Sequence, residues 1–166
     1  LQSQGFGTRK WCRQLIEAGE VQIGGDIVRD PHAAFDTDDL QFGLFDEIWS
    51  YHQHLYIALN KPGNIECSRK PSHHPGVMSI LPEQFSWRDV QAIGRLDHDT
   101  TGLLLLTDDG AFNHAMSSPR RHISKTYLAT TAEPVTAALI DRLLGGVKLH
   151  DEPAPLAATM CRQVAE

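Results

Sequence analysis

The chain has 166 residues, 41% of them hydrophobic and 22% charged, with a formal net charge of −6. Such a composition reads as globular and soluble and gives no general attraction to nucleic acid, so RNA contact must come from local basic patches. No run of about 18 apolar residues occurs, which leaves no segment for a membrane span.

Cys12, Cys67 and Cys161 are isolated thiols without C-x-x-C spacing. They argue against a disulfide framework or zinc knuckle and for a reducing, cytoplasmic setting. No signal peptide opens the sequence. It starts at Leu1 without methionine and stops at Glu166, soon after an alternating segment, so both ends read as cut.

Residues 8–18, TRKWCRQLIEA, put Trp11, Cys12, Leu15 and Ile16 on one stripe. This predicts an amphipathic helix with Thr8 as N-cap and Gly19 just past its end. Arg9 and Lys10 then fall in the first turn, where the helix dipole disfavours a cation by roughly 0.3–1 kcal/mol. A phosphate bound there would offset that cost; two solvated basic residues are the plain alternative. EVQIGGDIV predicts a β-hairpin turning at Gly24-Gly25. Residues 36–47 carry Asp36, Asp38, Asp39, Asp46 and Glu47 and read as a module edge and linker. DTDD there lacks the glycine and distal glutamate of a calcium loop.

LYIALNKPG predicts a strand that ends in a loop at Asn60-Lys61-Pro62-Gly63. Residues 64–92 contain Pro71, Pro75 and Pro82 and read mostly as loop, with a short element at 77–81. Leu103 to Leu106 read as a buried strand bounded by Gly102 and Asp108-Asp109-Gly110. Phe112, Ala115 and Met116 have helical spacing, KTYLATT (125–131) predicts a strand, and 134–144 predicts a helix closed by Gly145-Gly146. Helices and strands mix without strict βαβ alternation, so the fold class is α+β.

The stretch GRLDHDTTGLLLLTDDG, 94–110, sets Arg95, Asp97 and Asp99 beside four leucines. Asp97 admits three readings. An aspartate before a strand is commonly a cap or turn residue. Asp97-His-Asp99-Thr100-Thr101 also spells a D-x-D-x-T phosphatase motif. Gly94 and Arg95 interrupt the apolar strand that motif requires, and no later acidic pair stands ready for magnesium.

The third reading takes the whole stretch. G-R-L-D-x-x-T-x-G-L-L-L-L-T-x-D-G resembles the catalytic motif of pseudouridine synthases, in the branch that modifies ribosomal RNA and carries an N-terminal S4 module. LNKPG (59–63), SPRRHISKTY (118–127) and GGVKLHDEPAPLAA (145–158) resemble further motifs of that branch, in its order. GFGTRKWCRQLIEAGEVQIGGDIV resembles the S4 RNA-binding module, with its preceding helix nearly absent and Gly24 where asparagine is common. SPRRH-x-x-KTY and Lys148-Leu-His-Asp151 resemble the small-subunit members most. Large-subunit RNA, or an S4 protein that binds without catalysing, are the alternatives.

The resemblance implies an S4-like module at 1–45, a linker at 46–54, and a catalytic domain at 55–166. That domain would have a mixed, mainly antiparallel sheet with flanking helices. It implies Asp97 as the catalytic carboxylate, ionised and held between apolar walls that raise its pKa. A basic residue from a later motif, beyond Glu166, would counter that shift. Tyr127 would stack on uracil and take the C5 proton, and Arg95 would fill the gap left by a flipped base and contact phosphate. The reaction is an isomerisation, so neither cofactor nor metal is implied. His52-x-His54 and His73-His74 read as loop histidines without a third ligand.

Arg120, Arg121, His122 and Lys125 form a cluster with no acid between 110 and 132 and read as an RNA-backbone patch. Arg9, Lys10 and Arg13 would form a second grip. The expected partner is ribosomal RNA, with no membrane; a monomer is the default.

Overall fold

The computed structural model describes residues 1–150 and 152–164, so Asp151 of the Lys148–Asp151 motif lies outside the described residues. Helix α1 (Arg9–Ala18) forms where its apolar spacing places it. The Thr8 hydroxyl accepts the Trp11 N–H at 3.2 Å, and the Gly19 N–H donates to the carbonyls of Ile16 and Leu15. Cys12 and Leu15 are buried, whereas Trp11 is exposed, so the buried stripe is narrower than the apolar one.

Strands β1 (Val21–Ile23) and β2 (Asp26–Val28) form the predicted hairpin. The acidic segment expected as module edge and linker holds two more strands, β3 (Gln41–Leu44) and β4 (Glu47–Ser50), in an antiparallel sheet of order β2-β1-β3-β4. Phe42 and Leu44 alternate with Gln41 and Gly43, which buries one face of β3. Phe6 packs edge-on against Phe42 and Trp49, with ring centroids 5.7 and 4.9 Å away. That period-two pattern decides the fold locally. The acids, at turns or exposed strand positions, do not oppose it.

A second sheet contains β5 (Tyr56–Lys61), β6 (Gln91–Ile93) and β7 (Gly102–Thr107), antiparallel in the order β5-β7-β6. Its register pairs Tyr56 with Thr107 and Lys61 with Gly102. The leucine run is therefore the central strand, but it is not buried throughout. Leu104 is 2% exposed and Leu103 69%, because successive side chains face opposite sides and only one side meets the core of Ile65, Val77, Val90 and Leu106. A short helix α2 (Glu83–Trp87) and a 3-10 turn (Val77–Ile80) cover this core within the predicted loop. Helix α3 (Gly110–Ser117) starts at Asp109, whose carboxylate accepts the N–H groups of Ala111 and Phe112.

Arg88 ties the two sheets together. Its guanidinium pairs with Asp108 at 2.7 Å, both side chains being nearly fully buried, and donates to Gln4 Oε1 at 2.9 Å. It also donates to the carbonyls of His52 (2.9 Å) and Gln53 (3.2 Å). Gln4 in turn exchanges bonds with the backbone of His52. Residues 46–54 thus lie inside one compact unit, Leu1–Ile123.

The second unit runs from Ser124 to Glu166. In it α4 (Ala137–Gly145) begins at Thr136, whose hydroxyl accepts the Leu139 N–H, and Val147 bridges Leu156. The strand predicted at 125–131 does not form. Its composition suits a strand, but a strand also needs a ladder for its N–H and C=O groups, and 125–131 belongs to neither sheet. The chain is a mix of helices and antiparallel sheets, as the α+β expectation holds.

Candidate active site

Residues 94–101 form the loop between β6 and β7. Gly94 (φ 77°) opens it and Gly102 (φ 116°) closes it, both in a region where an L side chain is strained. Leu96 packs against the second core, and its N–H meets Cys67 Sγ at 3.4 Å. The Thr100 N–H donates to the Asp97 carbonyl at 3.1 Å, so the carboxylate rides on a closed turn.

The loop is held from beneath by Lys61, whose side chain is fully buried at the end of β5. Its ammonium donates to the carbonyls of Pro62 (3.0 Å), Ile65 (2.9 Å) and His98 (3.0 Å), which uses all three of its donors. The Ile65 N–H donates to the same His98 carbonyl at 3.2 Å. The LNKPG motif therefore positions the Asp97 loop through its lysine.

Across from that loop, Glu66 organises the wall. Its Oε1 accepts the N–H groups of His73 and His74, both at 2.8 Å, and Oε2 accepts Ser72 N–H at 3.1 Å. These bonds, that from His73 foremost, favour the ionised form and pull the carboxyl down to about 2. The imidazoles of His74 and His98 stack with centroids 4.3 Å apart and planes within 9°. Between the two segments lies a cleft of about 330 Å³, lined by Arg95, Asp97 and His98 on one side and Glu66, Cys67 and His74 on the other.

Asp97 and Arg95 thus share one loop and one cleft. The expected apolar enclosure of Asp97 is not found: its side chain is exposed at an open cleft. The reason lies in the loop itself. Leu96 takes the inward position, and its neighbour Asp97 is left at the solvent side. Tyr127 and Lys125 belong to the second unit, where Tyr127 is 60% exposed. Arg120 and Arg121 are exposed in a 3-10 turn, Pro119–Arg121, of the first unit. On α1, Arg9 reaches Gln2 at 3.5 Å, Arg13 pairs with Glu17 at 2.7 Å, and Lys10 is exposed.

The loop histidines serve locally: His52 through its backbone to Gln4, His54 near Asp108 at 3.5 Å, and His73 and His74 on Glu66. Among the described residues no group of three or more potential ligands is arranged to hold a metal ion.

Residue type and spacing give Lys61, Glu66 and His98 no role and read His74 only as a loop histidine. A lysine ending an apolar strand before Pro-Gly was the visible signal for the first. The others had none.

The antiparallel sheet thus carries a glycine-bounded loop whose Asp97 lines an open cleft. Residues 55–157 match the family model of RNA pseudouridylate synthase. The chain is 40% identical over 139 residues to ribosomal small subunit pseudouridine synthase A of Escherichia coli (strain K12), covering 82% of this chain and 59% of that protein. It is 43% identical over 159 residues to the protein of the same name from Yersinia pestis, covering 90% of this chain and 64% of that one. A solved structure described as a crystal structure of pseudouridylate synthase shares 32% identity and a TM-score of 0.57, over 93% of this chain and 66% of that chain.

The chain belongs to the RNA pseudouridylate synthase family. It spans less than two thirds of either relative's length.

Proposed function

We propose that this protein is an RNA pseudouridine synthase that isomerises a uridine of small-subunit ribosomal RNA in the cytoplasm. The observation that carries the reading is the loop of Arg95 and Asp97, fixed by Lys61, on the wall of a cleft whose volume falls within the range of about 300–1,000 Å³ usual for small-ligand sites. The printed names of the relatives from Escherichia coli and Yersinia pestis support small-subunit RNA as the substrate.

The reaction breaks the N1–C1′ bond of uridine, turns the base and forms a C5–C1′ bond. The C5 proton leaves and N1 takes one up, so product and substrate are isomers and no co-reactant is consumed. In this proposal Asp97 acts as the ionised carboxylate, on C1′, on the uracil ring or on the C2′ proton. Tyr127 stacks on the base and removes the C5 proton. Arg95 fills the space left by the flipped nucleotide and meets phosphate. Extruding a base costs roughly a few kcal/mol, less from an unpaired loop, which favours a folded RNA with an accessible uridine.

Residues 1–45 would act as the S4-like RNA-binding module through Arg9, Lys10 and Arg13. Arg120, Arg121 and Lys125 would provide a second grip on the backbone of RNA bound by the domain at 55–166.

The test uses unmodified transcripts of small- and large-subunit ribosomal RNA carrying tritium at uridine C5. The full protein is expected to release tritium from the small-subunit transcript, and Asp97→Asn to abolish release. No release, or release unaffected by Asp97→Asn, would overturn the proposal; release only from the large-subunit transcript would reassign the substrate.

A further inference from the structure

We propose that the exposed face of His98, backed by His74, is a stacking platform for the base next to the reacting uridine. This inference rests on the reading of Asp97 as the catalytic carboxylate. The two imidazoles lie 4.3 Å apart and nearly parallel, so each covers one face of the other. His74 is half-buried and His98 exposed, and both line the cleft that also holds Asp97 and Arg95, so His98 offers an accessible ring there.

Both rings hang from backbone that is already fixed. The N–H of His74 is held by Glu66 at 2.8 Å. The carbonyl of His98 is held by the Lys61 ammonium at 3.0 Å and by the Ile65 N–H at 3.2 Å. A platform ordered before binding loses little rotamer freedom when a base arrives.

Position then selects the occupant. Asp97 and His98 line the same cleft, so a nucleotide whose C1′ or base reaches Asp97 brings its chain neighbour into the space that His98 also borders. An aromatic face accepts any base, since every base has a π-face, and stacking is largely independent of sequence. A phosphate contact by a protonated His98 is the competing chemistry. It would be read as one fewer released counterion, a fall of about one in the salt slope.

The experiment measures binding of the full protein to the unmodified small-subunit transcript at several salt concentrations, in an Asp97→Asn background that removes turnover. His98→Ala is expected to weaken binding by about 5- to 150-fold, the range for one stacked base, with the salt slope unchanged. His98→Phe, which keeps a π-face without a charge, is expected to restore it. Unchanged affinity in His98→Ala, or a salt slope that falls by about one without rescue by phenylalanine, would overturn the platform. Tritium release by the otherwise wild-type protein and its abolition by Asp97→Asn are scored separately. The platform can therefore fail while the proposed function stands, and a failure of that function is read separately, from tritium release.

Discussion

The ammonium of Lys61 donates to the carbonyl of His98 at 3.0 Å and so ties the end of β5 to the residue that follows Asp97. A buried lysine held by three carbonyls, rather than by a carboxylate, fixes backbone in a way a surface ion pair would not. Lys61→Met would leave the carbonyls of Pro62, Ile65 and His98 without this donor. The expected loss is about 3 kcal/mol of stability, a fall in Tm of roughly 6–12 °C for a chain of this size, read by thermal unfolding. Uridine isomerisation should fall further than the unfolded fraction explains, because the Asp97 turn loosens.

The Arg88–Asp108 pair joins the two sheets from a nearly dry position. Arg88→Met would leave the buried Asp108 with only the Leu55 N–H at 2.8 Å and His54 beside it, at an expected cost of about 3 kcal/mol. Arg88→Lys should recover little of it, since an ammonium cannot span Asp108, Gln4 and the carbonyls of His52 and Gln53 together. Denaturant unfolding of both variants checks this; full recovery in Arg88→Lys would show that charge alone matters there.

The depressed pKa of Glu66 gives a sign to the pH dependence. Its folded value, about 2, lies below the ordinary 4.5, so the stabilisation is fully present above the ordinary value and is lost as pH falls toward 2. Glu66→Gln keeps one oxygen for His73 and His74 but turns an amide toward the Ser72 N–H. The variant should melt below wild type at pH 7, and the gap should close between about pH 4.5 and 2. A gap constant across that range would contradict the assignment of the three N–H bonds.

Asp109 caps α3 and also accepts the Tyr56 hydroxyl at 2.8 Å. The N–H of Phe112 foremost, and then this hydroxyl, hold its carboxyl below its ordinary value, while the bond to Asp109 pushes the Tyr56 phenol up. Asp109→Ala should lower the unfolding midpoint, and Asp109→Asn by clearly less, as both unfolding curves would show. A spectrophotometric titration should find the Tyr56 phenol returned toward its ordinary range in Asp109→Ala.

The sequence alone determined the elements whose cause is local. Thr8, the apolar spacing of 8–18 and Gly19 were enough for α1, and the double glycine was enough for the first hairpin. The glycine-bounded run from Gly94 to Gly110 was enough to locate the loop and its strand. Composition misled where a local count outweighed a pattern. Five acids hid the period-two alternation of β3, and the β-branched residues of KTYLATT promised a strand that joins neither sheet.

Tertiary structure decided everything that depends on convergence. Which leucine faces the core is set by the sheet's one covered side, and Leu103 and Leu104 differ in nothing else. The His98 carbonyl reaches Lys61 from 37 residues away, and the parallel rings of His74 and His98 likewise come from separate segments, whereas the N–H groups around Glu66 come from one nearby loop whose curl the spacing does not reveal. Hydrogen bonds and ring stacking act over a few ångströms in space, and spacing along a sequence does not encode such distances until the chain has folded.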